Sequence, residues 1–95
     1  MQIKHCTLNG KAMRSLDDFY DRISTLKDMP EHFGRNLDAL WDVLSIDVEG
    51  PFEIIWKKAE ASKKLMGKDF YRIVKLLRNL EKEREDFKLK IDLLI

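Results

Sequence analysis

Phe87-Lys88-Leu89-Lys90-Ile91-Asp92-Leu93 alternates apolar and charged residues without a break. A period of two puts Phe87, Leu89, Ile91 and Leu93 on one face of an extended segment and Lys88, Lys90 and Asp92 on the other. The segment reads as a strand whose second face stays partly wet, unlike the continuous apolar run of a strand buried on both sides. Just before it the period changes. Phe70, Ile73, Val74, Leu77 and Leu80 recur at helical spacing behind Asp69, read as an N-cap, and a weaker helix from about Lys57 to Met66 stops at Gly67. Pro51 to Trp56 is a short run of β-favouring residues. Further back, Leu37, Leu40, Trp41 and Leu44 form a second helical stripe, with Asn36 placed to cap it and Gly34 loosening the chain ahead of it. Leu16, Phe19, Tyr20, Ile23 and Leu26 make another behind Ser15, with Asp17 and Asp18 in its first turn. Gln2 to Leu8 is the first strand, ended by Asn9-Gly10. Strands separated by helices imply crossovers and a parallel sheet. The expected fold class is therefore α/β, a three-stranded parallel sheet covered by about four helices, with the strand order left open.

The length of 95 residues fits one domain, taken as 1–95. With 44% hydrophobic and 37% charged residues the chain is too apolar for a disordered tail and too evenly charged for a membrane span. The opening MQIKHCTLNGK lacks the apolar core of a secretory signal, and Cys6 has no partner for a disulfide. A cytoplasmic protein is expected, with Cys6 as core filler. The net charge of +1 conceals a segregation. From Pro30 to Gly50, Glu31, Asp38, Asp42, Asp47 and Glu49 face one base, Arg35, whereas Lys57 to Lys90 carries twelve Lys or Arg against six acids. An acidic centre and a basic flank result, and steering depends on such placement more than on the total.

An enzyme would need residues that are scarce here: two histidines, one cysteine and no Gly-rich phosphate loop. His5 and Cys6 are neighbours on a strand, so their side chains point to opposite faces. His32 with Asp38 or Asp42 lacks a ligand-spaced pattern. No catalysis, cofactor or metal is expected. Nucleic-acid binding through the basic flank, led by Lys57, Lys58, Lys63 and Lys64, is the alternative. Against it, the lysines of this flank are interspersed with Glu60, Glu81, Glu83 and Glu85 on amphipathic helices, a pattern usual for a solvated face, and no exposed aromatic series is there to stack bases. Asp38 and Asp42 are more informative. They stand four apart on one helix, where like charges repel by a few tenths of a kcal/mol. The helix dipole favours Asp38 but explains Asp42 less, and Arg35 is near enough in sequence to neutralise either. Trp41 is read first as core. Carboxylates beside aromatic residues suit a cationic concave site that normally holds phosphate, as in a nuclease.

Pro30-Glu31-His32-Phe33-Gly34-Arg35-Asn36-Leu37-Asp38-Ala39-Leu40-Trp41-Asp42-Val43-Leu44 resembles the signature segment of the barstar family, intracellular inhibitors of barnase-type ribonucleases, and the similarity extends from Leu8-Asn9-Gly10 through Trp56, Ser62 and Lys63 to the last strand. The resemblance implies three parallel strands and four helices, with the second helix and the loop before it plugging a ribonuclease active site. It assigns Asp42 the role of phosphate mimic and Asp38 that of a second arginine partner. His32 stands where the family often has a tyrosine, and Phe33 where a second aromatic sits. Asn79 and Arg35 each stand where a glutamate would, and Ile46-Asp47 replaces Gly-Trp. The expected partner-binding face is His32, Phe33, Gly34, Asn36, Asp38, Trp41 and Asp42, with Asp47 and Asn79 as rim. The partner implied is a small ribonuclease with a cationic site, or a related toxin to which the chain would be the immunity protein. No membrane is involved, and the free chain is expected to be monomeric.

Overall fold

In the computed structural model, residues 2–26 and 28–93 are described; residues 1, 27, 94 and 95 of the expected 1–95 domain lie outside them. The order is β1 (Lys4–Asn9), α1 (Leu16–Ile23), α2 (Leu37–Asp42) running into a π-helical turn (Val43–Asp47), β2 (Phe52–Lys57), α3 (Ala59–Met66), α4 (Lys68–Glu83) and β3 (Phe87–Ile91). The three strands form one parallel sheet in the order β1-β2-β3. Cys6 pairs with Ile54 and Ile54 with Leu89; Leu8 pairs with Trp56 and Trp56 with Ile91. The α/β sheet-and-helix expectation therefore holds, and the open question of strand order is answered by the sequential arrangement.

Two right-handed crossovers that step the same way along a sheet lie on the same side of it. The burial pattern agrees. Cys6, Leu8, Phe52, Ile54, Trp56, Phe87 and Leu89 are buried on one face, with Phe19, Ile23, Leu40, Leu44, Phe70, Ile73, Leu77 and Leu80 from the helices. Trp56 is 0% exposed. It stacks on Phe19 with ring centres 5.8 Å apart and meets Phe70 edge-on at 5.0 Å. Each fully buried side chain of this size contributes about 1.5–3 kcal/mol through burial. The indole N–H donates to Ser62 Oγ at 3.0 Å, and the Ser62 hydroxyl donates to the Gly10 carbonyl at 2.8 Å, so the polar atoms in this core are satisfied. On the opposite face His5, Lys88 and Lys90 are exposed, as the alternation in β3 predicts. There Glu53 is only 8% exposed, its carboxylate held between His5 Nδ1 at 2.6 Å and Lys90 Nζ at 3.4 Å.

Several expected boundaries move for local reasons. Helix α1 stops before Leu26 because Ser24 and Thr25 turn their hydroxyls back on the carbonyls of Tyr20 and Arg22. Helix α3 starts at Ala59, since Lys58 takes a left-handed conformation, φ +54°. Asp69 is not the cap of α4. Gly67 is the joint that ends α3 and starts α4, with φ +59° and ψ −125°, a conformation suited to glycine; Asp69 sits in the first turn and pairs with Arg72 at 3.3 Å. The second helix does not remain α-helical to Leu44. Its C-terminal part widens into the π turn, with the Val48 N–H bonded to the Val43 carbonyl at 3.0 Å.

Arg84 fixes that turn from outside. Its Nη1 donates to the Leu44 and Val48 carbonyls, its Nε and Nη2 grip Asp86, and its guanidinium lies 4.9 Å from the Phe52 ring centre. No helix among the described residues is long and apolar enough to cross a membrane.

Candidate functional site

The loop into α2 is shaped by Asn36 and Arg35. Asn36 Oδ1 accepts the Ala39 N–H at 2.8 Å, so the expected cap forms. The left-handed residue in this loop is Arg35, φ +53°, rather than Gly34. Gly34 serves close packing instead: a Cβ there would lie 3.2 Å from that of Ala39. The Arg35 side chain turns away from α2 toward α1. Its Nη2 lies 2.9 Å from Asp21 and 3.6 Å from Asp17, and its guanidinium sits over Tyr20 at 5.7 Å. Arg35 therefore does not neutralise Asp38 or Asp42, as its sequence position allowed.

Both aspartates are exposed, and neither makes a side-chain hydrogen bond or ion pair among the described residues. Asp38, in the first turn of α2, gains from the helix dipole; Asp42, the last α-helical residue, does not. Two surface depressions flank α2. One, of about 490 Å³, is lined by Leu16, Asp17, Tyr20, Arg35, Asn36, Leu37 and Asp38. The other, of about 360 Å³, lies between α2 and α4 and is lined by Leu37, Asp38, Trp41, Arg72, Lys75, Leu76 and Asn79. Leu37 and Asp38 form the ridge common to both.

Of the expected face, Asp38, Trp41 and Asn79 thus meet in the α2–α4 depression, and Asn36 meets Asp38 in the other. Trp41, read as core, is half-buried: it packs against the core and also lines the depression. Phe33 is half-buried as well, edge-on to Tyr20 with ring centres 5.6 Å apart. His32, Asp42 and Asp47 are exposed, and these three, with Phe33 and Gly34, line neither depression. Arg72, Lys75 and Leu76 were not singled out from sequence. Their spacing with Asn79, three or four residues apart on α4, was the available signal, hidden because they counted as part of a solvated basic flank.

The residues considered for catalysis are separated. Cys6 is buried in the core, where desolvation raises its thiol above the usual range despite the nearby charge of Arg22, and His5 is exposed on the other face of the sheet. Among the described residues no group of three or more His, Cys, Asp or Glu is placed to hold a metal ion.

The family described as "Barstar (barnase inhibitor)" matches residues 3–94 of the chain. The chain belongs to the barstar family. Among barstar-like relatives, the Bacillus subtilis (strain 168) protein called "Putative ribonuclease inhibitor YrdF" is 28% identical over 86 residues, covering 90% of this chain and 94% of that one. A barnase-inhibitor-like role follows at the level of the family, whose members act as inhibitors rather than enzymes. Barstar-family membership also fits the sequential parallel sheet and the single helical layer described above.

Proposed function

We propose that this chain inhibits a ribonuclease by seating the outer face of α2, the loop before it and the adjoining rim of α4 over the enzyme's active site. Asp42 takes the place of a substrate phosphate and Asp38 pairs with a second cation. His32, Phe33, Gly34, Asn36 and Trp41 shape the contact, and Asp47 and Asn79 lie at its rim. The observation that carries this reading is that Asp38 and Asp42 stand exposed and unpaired among the described residues while the neighbouring cation, Arg35, is engaged by Asp17 and Asp21. Asp38 gains only the helix dipole in the free fold and the Asp42 carboxylate gains no contact at all among the described residues, whereas a cationic pocket gives both charge-assisted hydrogen bonds. Their field also speeds encounter with a basic partner. Such an inhibitor acts as a single cytoplasmic domain and needs no chemistry of its own.

The test is titration of a barnase-type ribonuclease with the native chain and with Asp42→Ala. Barnase and barstar are an established case of an aspartate hot spot, and the expected size is carried over from it: Asp42→Ala weakens inhibition by at least about 100-fold with an unchanged melting temperature. Equal inhibition by the two forms would sink the assignment of Asp42.

A second reading, nucleic-acid binding, is favoured by one observation. Lys57, Lys58, Lys63 and Lys64 have no carboxylate partner among the described residues, and Lys63 lies 5.8 Å from the ring centre of the exposed Tyr71. Under that reading changes at these lysines dominate, Asp42→Ala is silent, and binding falls steeply with salt.

A further inference from the structure

The depression between α2 and α4 carries both signs of charge. Asp38 stands on its α2 side, and Arg72 and Lys75 stand on its α4 side next to Asn79. The two cations differ in their commitments. Arg72 is paired with Asp69 at 3.3 Å, whereas Lys75 is exposed and has no ion pair among the described residues. A free ammonium beside an acidic docking face has a consequence for recognition. A partner whose active-site mouth is cationic throughout would bring like charge against Lys75, and such juxtaposition opposes binding. A partner with a carboxylate on that side would be drawn in by it. Specificity between similar partners is often set by a repulsive element of this kind beside the attractive ones.

We infer that Lys75 is the selectivity residue of the docking face, and that the target is a ribonuclease with cations opposite Asp38 and Asp42 and a carboxylate on the side facing α4. This rests on the docking reading above and adds to it the charge pattern of the target. Lys75 does so without touching the reacting atoms of the enzyme. Its exposed position on α4 lets it be changed to another good helix former without disturbing the core.

Calorimetric binding to barnase, used as a ribonuclease with a cationic mouth, separates the two ideas when native, Lys75→Glu, Asp42→Ala and the double variant are compared. Lys75→Glu should bind barnase at least about tenfold tighter than the native chain at ~50 mM salt, with the gain shrinking toward nothing at ~500 mM. Asp42→Ala should weaken binding in both backgrounds. If Asp42→Ala weakens binding but Lys75→Glu leaves it unchanged or loosens it, Lys75 does not face the partner and the inference is wrong while the docking reading stands. If Lys75→Glu tightens binding but Asp42→Ala is silent, the cations of the enzyme are met elsewhere and the docking reading fails. Absence of binding by both the native chain and Lys75→Glu also overturns the inference, because relief of the repulsion would then have gained nothing.

Discussion

Arg84 Nη1 lies 2.7 Å from the carbonyl oxygen of Leu44 and 2.7 Å from that of Val48. These carbonyls belong to the π turn and to its exit, so a side chain from the end of α4 holds the segment that follows Asp42. Removing it would leave two carbonyls without their charged donor and Asp86 without its bidentate partner. Arg84→Ala is expected to lower stability by about 3 kcal/mol, since hydrogen bonds to charged groups contribute roughly 1.5–3 kcal/mol each and are not additive here. Urea unfolding measures it; a change below about 1 kcal/mol would mean that the turn holds itself.

Ser62 joins β1, β2 and α3 through one hydroxyl, which accepts from Trp56 and donates to Gly10. Ser62→Ala strands the buried indole N–H of Trp56 and leaves the Gly10 carbonyl with the Met13 N–H at 3.3 Å, a loss of about 1–3 kcal/mol. Ser62→Cys, which keeps a weak donor and acceptor, should lose less. Equal stability of the native chain and Ser62→Ala in thermal melts would show that Trp56 is held by stacking alone.

Acid stability should carry a contribution from Glu81. Burial works against its charge, but the Leu89 N–H and the Arg78 guanidinium, each at 2.9 Å, outweigh burial and hold its pKa below the ordinary value of 4.5. The folded form therefore releases its proton more readily than the unfolded chain. The stabilisation is complete above about 4.5 and is lost as pH falls through the lower folded value. Asp86, held low by its hydrogen bonds to Arg84, acts in the same sense. Melting temperatures between pH 7 and 3 should fall less steeply for Glu81→Gln than for the native chain. Parallel curves would remove Glu81 from the account.

The strands and helical stripes were legible because burial imposes period on sequence, and Phe87–Leu93 is the clearest case. The caps at Ser15 and Asn36 were legible because each needs only one side chain and a nearby N–H. Asp69 misled because a good cap chemistry was present, yet Gly67 could turn the chain two residues earlier. The π turn left no periodic trace, since Leu44 fits either helix and Arg84, distant in sequence, bonds the turn. At the site, the Asp38–Asp42 pair was visible from spacing on one helix. The direction taken by Arg35 was not, because Asp17 and Asp21 compete for it from another element, and the α4 wall emerged only when α2 and α4 came together.

The sequential order of the parallel strands also governs how the chain can be made. During synthesis β1 and β2 can pair once Lys57 has emerged, but the far edge of β2, with Phe52 and Ile54, has no neighbour until Phe87 to Ile91 follow. Every strand contact therefore waits for a whole crossover, and none is local. A nascent chain cut off or stalled within α4 would carry an open strand edge and an uncovered apolar sheet, the kind of surface that chaperones bind. Folded protein would then appear only after β3 has been made, so a chain broken off before Phe87 contributes nothing to whatever the fold does.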